Sequence, residues 1–123
     1  MNKELEIWGR RFDLEVIYDL YDGEELLEIQ KEALEKFIEE SPTLLSTHKE
    51  LDEYCLKEAG DRIGEKVDNI FKYVVPAYLY VQRDEENRVV ALFCDYKFDI
   101  EHGIALIYRN EKLEHIGPQD DAC

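Results

Sequence analysis

Hydrophobic and polar positions alternate with a period of two at the start of the chain, which predicts paired strands. Leu5 and Ile7 flank Glu6, and after Arg10-Arg11 the residues Phe12, Leu14, Val16 and Tyr18 alternate with Asp13 and Glu15, the spacing of strands with one buried face. Gly9 between Trp8 and Arg10 suits a turn, so the segment reads as a β-hairpin. The period then changes. In Asp22-Gly23-Glu24-Glu25 an Asp is followed three residues later by a Glu, a capping-box-like start. Leu26, Leu27, Ala33, Leu34, Phe37 and Ile38 then recur at helical spacing, with Glu28, Glu32, Glu35 and Glu39 on the opposite face. A helix from about Glu24 to Glu40 is predicted. Gln30 falls on its apolar stripe, where a buried amide needs hydrogen-bond partners. Ser41-Pro42 is expected to end the helix, since the residue before proline is biased away from helical geometry.

Thr47-His48-Lys49-Glu50 predicts a second helix, carried by Leu51, Tyr54, Cys55 and Ala59 and stopped at Gly60. A shorter third helix is expected from Asp61, with Ile63, Val67, Ile70, Phe71 and Val74 on one face and Pro76 closing it. Beyond Pro76 the chain becomes strand-like. Ala77 to Gln82, Arg88 to Cys94, Ile104 to Arg109 and Lys112 to Ile116 are short, β-branched and aromatic, and turn-like Asp84-Glu85-Glu86-Asn87 and Asn110-Glu111 separate them. They predict a β-meander. Val89 to Phe93 and Ile104 to Ile107 are apolar at both alternating sets, the pattern of strands covered on both faces or central in a sheet. The order β-β-α-α-α-β-β-β-β predicts an α+β fold: an antiparallel β-sheet, made of the N-terminal hairpin and the C-terminal meander, with about three helices packed on one face. No repeat or linker-like stretch interrupts the chain, so residues 1–123 are expected to form a single domain.

Charge narrows the partners. Lys and Arg number 15 against 30 Asp and Glu, a formal net charge of −15 on 123 residues. Nucleic-acid binding draws most of its free energy from Lys and Arg neutralising phosphate, so DNA, RNA and anionic membrane are poor partners for this chain. A basic protein or a metal cation remains compatible. Hydrophobic residues at 45% and aromatics at 11% supply enough material for a core. No apolar run approaches the roughly 20 residues of a membrane span, and Met1 to Glu6 lacks a signal peptide's apolar stretch. A cytoplasmic protein is therefore expected. Cys55, Cys94 and Cys123 are odd in number and form no CxxC pair, which argues for free thiols over disulfides or a zinc site.

Candidate chemistry concentrates between two predicted strands, in Cys94-Asp95-Tyr96-Lys97-Phe98-Asp99-Ile100-Glu101-His102-Gly103. Asp99, Glu101 and His102 offer oxygen and imidazole ligands to a divalent cation if the loop folds back on itself. The spacing matches neither an EF-hand loop nor HExxH. A structural turn explains the same residues: Asp bonds its own backbone, Gly103 takes a positive φ, and His102 orients the loop. Nucleophilic catalysis has less support, since His48, His102 and His115 lie in different predicted elements and no nucleophile elbow accompanies Cys55 or Cys94. No cofactor is expected. Tyr78, Tyr80, Tyr96 and Tyr108 lie near the sheet, and tyrosine beside carboxylates suits a protein interface. Asp95, Tyr96, Asp99 and Glu101, sharing one loop expected to be exposed, are the candidate contacts for a basic protein.

The segments Phe93-Cys94-Asp95, Phe98-Asp99-Ile100-Glu101-His102-Gly103-Ile104 and Ile116-Gly117-Pro118-Gln119-Asp120 resemble a family of small uncharacterised bacterial domains with an EHG motif and a closing G-x-Q-D segment. Trp8-Gly9, Tyr18 to Gly23 and Gln30 extend the likeness across nearly the whole chain. Such domains resemble those found among polymorphic-toxin immunity proteins, which implies an inhibitor that binds one toxin and implies no catalytic residues. Asn110-Glu111 departs from the pattern, because a two-residue hairpin favours Asn-Gly there.

Overall fold

A computed structural model describes residues 1–123. The chain runs β1 (Asn2–Ile7), β2 (Arg10–Tyr18), α1 (Glu28–Leu44), α2 (Lys49–Ile63), β3 (Val74–Val81), β4 (Val89–Tyr96), β5 (Ile104–Arg109) and β6 (Lys112–Gly117), with short 3-10 turns at Ile70–Lys72 and Gln119–Ala122. The strands form one sheet in the order β1-β2-β3-β4-β5-β6. The class is α+β, but two parts of the predicted arrangement are corrected. The sheet is mixed, because β2 and β3 are parallel neighbours in the register Glu15–Tyr78 to Tyr18–Val81, while the other pairs are antiparallel. Parallel neighbours need a long crossover, and both helices are spent in it.

The second correction concerns the helices, of which there are two and not about three. Gly64, in the first turn of the expected third helix, sits at φ 110 and ψ −153, outside helical geometry. Ile70 and Val74 are still buried, but from a 3-10 turn and from β3. Pro76 accordingly lies inside β3, next to a register shift against β4, and does not close a helix. The first helix also outruns its predicted stop. Pro42 has no N–H to give the Ile38 carbonyl one turn back, and the Ser41 hydroxyl donates to that carbonyl instead, at 2.7 Å. The helix therefore continues to Leu44. Its start moves to Glu28, where the Gln30 amide oxygen accepts the Leu27 N–H at 3.0 Å and its Nε2 donates to the Asp19 carbonyl at 3.2 Å. Buried Gln30 thus ties the helix to the strand exit.

Both helices cover one face of the sheet. Leu34, Phe37, Leu51 and Cys55 pack there against Leu5, Leu14, Leu79, Leu92, Leu106 and Tyr108, with the Phe37 ring edge-on to Tyr108 at 5.2 Å. The opposite face has a smaller apolar cluster of Val89, Ala91, Phe93, Ala105 and Ile107. Its cover is the C-terminal turn, which places Ala122 on the cluster and lets Gln82 Nε2 donate to the Ala122 carbonyl at 2.7 Å. This explains why β4 and β5 are apolar on both alternating sets. The same face of β1, β2 and β3 lies beyond that cover. No helix is long and apolar enough to cross a membrane.

Candidate functional site

The EHG segment is the return from β4 to β5. Its backbone closes through Lys97 N–H to the Tyr73 carbonyl (2.8 Å), Asp99 N–H to the Tyr96 carbonyl (3.2 Å) and Gly103 N–H to the Asp99 carbonyl (2.8 Å). Phe98 anchors it inward, stacked on Tyr73 at 5.5 Å, edge-on to Tyr96 at 5.7 Å and covered by the Arg62 guanidinium at 4.5 Å. The Asp99 carboxylate accepts the His102 backbone N–H at 3.2 Å and faces ring Nδ1 at 3.0 Å. A carboxylate only accepts, so Nδ1 carries the proton of this bond. The hydrogen bond to Asp99, followed by its charge, raises the His102 pKa above its ordinary value, and Glu101 and Asp120 add smaller attractions.

The two glycines of the resembling motifs have a packing reason. A Cβ on Gly103, which sits at φ +59, would lie 2.7 Å from the Cys94 carbonyl oxygen and collide with the Gln119 amide. That amide donates to the Cys94 carbonyl at 3.2 Å, and Gln119 N–H donates to the His102 carbonyl at 2.9 Å. A Cβ on Gly117 would collide with the Asp121 carboxylate and lie 2.7 Å from His115 Nε2, the pair bonded over that glycine at 2.7 Å. The EHG turn and the closing segment are therefore two halves of one fastening, which holds the C-terminal cover against the sheet.

The predicted contact residues do not share one surface. Asp95 is exposed on the face away from the helices, and Glu101 and the loop tip Ile100, 84% exposed, face solvent. Asp99 is half-buried and engaged by His102. Tyr96 is buried on the helix side beside Phe98, and its hydroxyl makes no hydrogen bond, so it is withdrawn as a surface contact. No three His, Cys, Asp or Glu side chains converge where they could hold a metal ion. Asp99 and His102 meet, and they satisfy each other. The two buried thiols are held protonated: burial, then the charge of Asp52, pushes Cys55 up to about 12, and full burial pushes Cys94 well above its ordinary value.

A larger surface lies around Asp95. Tyr78 and Tyr80 rest on Phe93, with ring centroids 4.8 and 5.3 Å away, and remain half-exposed. Ile17 pairs with Tyr80 across the parallel junction and is 37% exposed, while Val75 pairs with Asp95 and is 42% exposed. Glu15, beside Tyr78, and Asp13 extend it along β2. Sequence reasoning reached Tyr78 and Tyr80 but missed Ile17 and Val75. One signal was available: Ile17 falls out of phase with the inward set Phe12, Leu14, Val16 and Tyr18.

No protein of curated function and no solved structure matches the chain. A family model does match it, over residues 2–123, so the chain belongs to the family described as Domain of unknown function (DUF6985).

Proposed function

We propose that this chain is a non-enzymatic protein-binding domain of the immunity type, which occludes a basic surface on its partner. The observation that carries the reading is the uncovered part of the sheet face, where Ile17, Val75, Tyr78 and Tyr80 stand among Asp13, Glu15 and Asp95. Aromatic and aliphatic surface ringed by carboxylates suits a partner with an apolar centre and a Lys- and Arg-rich rim. Of the other expected contacts, Glu101 is exposed in the turn after β4, whereas the Asp99 carboxylate is engaged by His102. The resemblance to immunity domains points the same way, as does the net charge of −15, which speeds encounter with a basic partner about 10 to 1,000-fold and loses that effect in salt.

The test is affinity capture from the source cells with wild type, Asp95→Lys, Tyr80→Ala and Glu53→Lys. Glu53 is exposed on α2, across the sheet, so its reversal changes net charge equally without touching the surface. Retention of a basic protein by wild type and Glu53→Lys, and its loss with Asp95→Lys and Tyr80→Ala, is expected. Capture of nothing basic, or equal retention by every variant, would sink the reading.

A further inference from the structure

The sheet ends in two edges, and the chain treats them differently. At β6 the pairing slips between Ile107 and Tyr108, and the C-terminal turn folds back beside the strand. Such irregularity blunts an edge. β1 instead pairs with β2 in unbroken register from Asn2–Glu15 to Ile7–Arg10, with no strand on its other side. Val16 N–H donates to the Met1 carbonyl at 2.8 Å, so by alternation Lys3, Leu5 and Ile7 direct their backbone groups toward β2. Asn2, Glu4 and Glu6 direct theirs outward. Trp8, next in that outward phase, donates its N–H to the Leu45 carbonyl at 2.9 Å. The edge thus already takes on backbone at one end, and its remaining groups continue the line.

Beside this edge runs a groove between β1 and α1. One section of about 590 Å³ is lined by Tyr18, Leu26, Leu34 and Ile38, and a second of about 440 Å³ shares Ile38, reaches Leu45 and is otherwise mainly polar, with Glu4, Glu6 and Arg11 at its rim. Side chains alternate across the strand. Leu5 and Ile7 turn to the helix side, whereas Glu4 and Glu6 project to the other face, where Arg11 of β2 donates to Glu4 at 2.6 Å and one cation against two carboxylates leaves the strip net negative.

We propose that the β1 edge docks an extended segment of another protein, which adds as a seventh strand to the six-stranded sheet. The segment carries basic residues opposite Glu4 and Glu6 and apolar residues at the intervening positions, which enter the groove. Backbone bonds supply affinity in this mode and the alternating side chains supply specificity. Charge selects the occupant. A second copy pairing antiparallel about the centre of β1 sets Glu4 against Glu4 or Glu6, and sliding toward the N-terminus sets Lys3 against Lys3. Like charges directly opposite destabilise a strand pair, whereas Lys or Arg opposite each glutamate stabilises it. The site adjoins the Tyr80 surface at Asp13, which faces Glu4 across the strand pair, but makes no use of Tyr80 and stands or falls without it.

The experiment titrates the isotope-labelled full chain with a synthetic peptide alternating Lys and Val over about six residues. A second peptide of identical composition has its lysines grouped together. Saturable shifts and slowed amide exchange at Glu4 and Glu6 are expected with the alternating peptide, and at least tenfold weaker binding with the grouped one. Glu4→Pro removes one outward N–H, a change that edge strands tolerate, and should weaken binding at least tenfold. Glu4→Lys with Glu6→Lys should do the same with the backbone intact, which keeps the test decisive if the proline variant misfolds. Tyr80→Ala should bind as wild type. Absence of saturable binding, equal affinity for both peptides, unchanged binding by the folded edge variants, or weakening by Tyr80→Ala overturns the proposal.

Discussion

Replacing Gly103 with alanine should detach the C-terminal cover, and the structure sets the size of the effect. An L-residue at φ +59 costs about 1 kcal/mol relative to glycine. The added methyl also occupies the space of the Gln119 amide, whose bond to the Cys94 carbonyl contributes about 1 kcal/mol. With some loss of packing over Phe93 and Ala105, the total is about 2–3 kcal/mol. Unfolding entropy of roughly 2.1 cal/mol/K per residue makes 1 kcal/mol worth about 4 °C in a chain of 123 residues, so Tm should fall by about 8–12 °C. Calorimetry reads this directly. Gln119→Ala alone should cost about 1 kcal/mol and, because the same bond cannot be lost twice, should make the double variant more stable than additivity predicts by about 1 kcal/mol. A Tm for Gly103→Ala within about 2 °C of wild type, or strict additivity, would refute the fastening described for these segments.

Three further outcomes are expected. His102 should titrate above its ordinary 6.5; because the folded value exceeds the unfolded one, its stabilising share is full below the unfolded pKa and is lost as pH rises through the folded pKa. Asp99→Asn should bring the NMR-observed midpoint back down, and an unmoved midpoint would contradict the pairing. At the last hairpin, Asn110 and Glu111 sit at φ 49 and 61, while Glu111 takes the Arg88 guanidinium at 2.9 and 3.0 Å. Glu111→Gly should therefore stay within about 0.5 kcal/mol of wild type in urea unfolding, since backbone relief offsets the lost pair, whereas Glu111→Ala should cost about 1 kcal/mol; equal costs would refute this balance. Of the three cysteines only Cys123 is exposed, so a thiol reagent at about pH 8 should titrate one equivalent in the native protein and all three after denaturation; rapid reaction of Cys55 or Cys94 would show that their burial is not maintained.

Strands were legible in the sequence where a local period controls them. β5 spans Ile104–Arg109 as predicted, and the apolar runs of β4 and β5 do mark strands covered on both sides. Pairing between distant segments was not legible. Nothing local tells Ile17 to lie beside Tyr80, because that contact depends on how the whole crossover returns. The helical errors have single-residue causes: Gly64 defeats a five-position apolar pattern, and the Ser41 hydroxyl rescues a carbonyl that Pro42 abandons. In the candidate site, the meeting of Asp99 and His102 was accessible because they are three residues apart in one turn. Tyr96 was misplaced because β4 runs to Tyr96 and not to Cys94. Extending the strand's alternation past Cys94 would have turned Asp95 outward and Tyr96 in.

The parallel junction of β2 and β3 also orders events in time. β4 to β6 pair only with chain neighbours, so each can close as it forms. The first hairpin has no such neighbour; its place opens only after everything from Asp19 to Tyr73 has been made and β3 has followed. At synthesis rates of about 5–20 residues per second, that delay is on the order of several seconds. Until then β2 exposes the flank destined for β3, and Leu14 and Val16 lack their cover. That hairpin thus leaves the ribosome well before the strand that seats it, and a chaperone that shields this protein has most to do there in the interval.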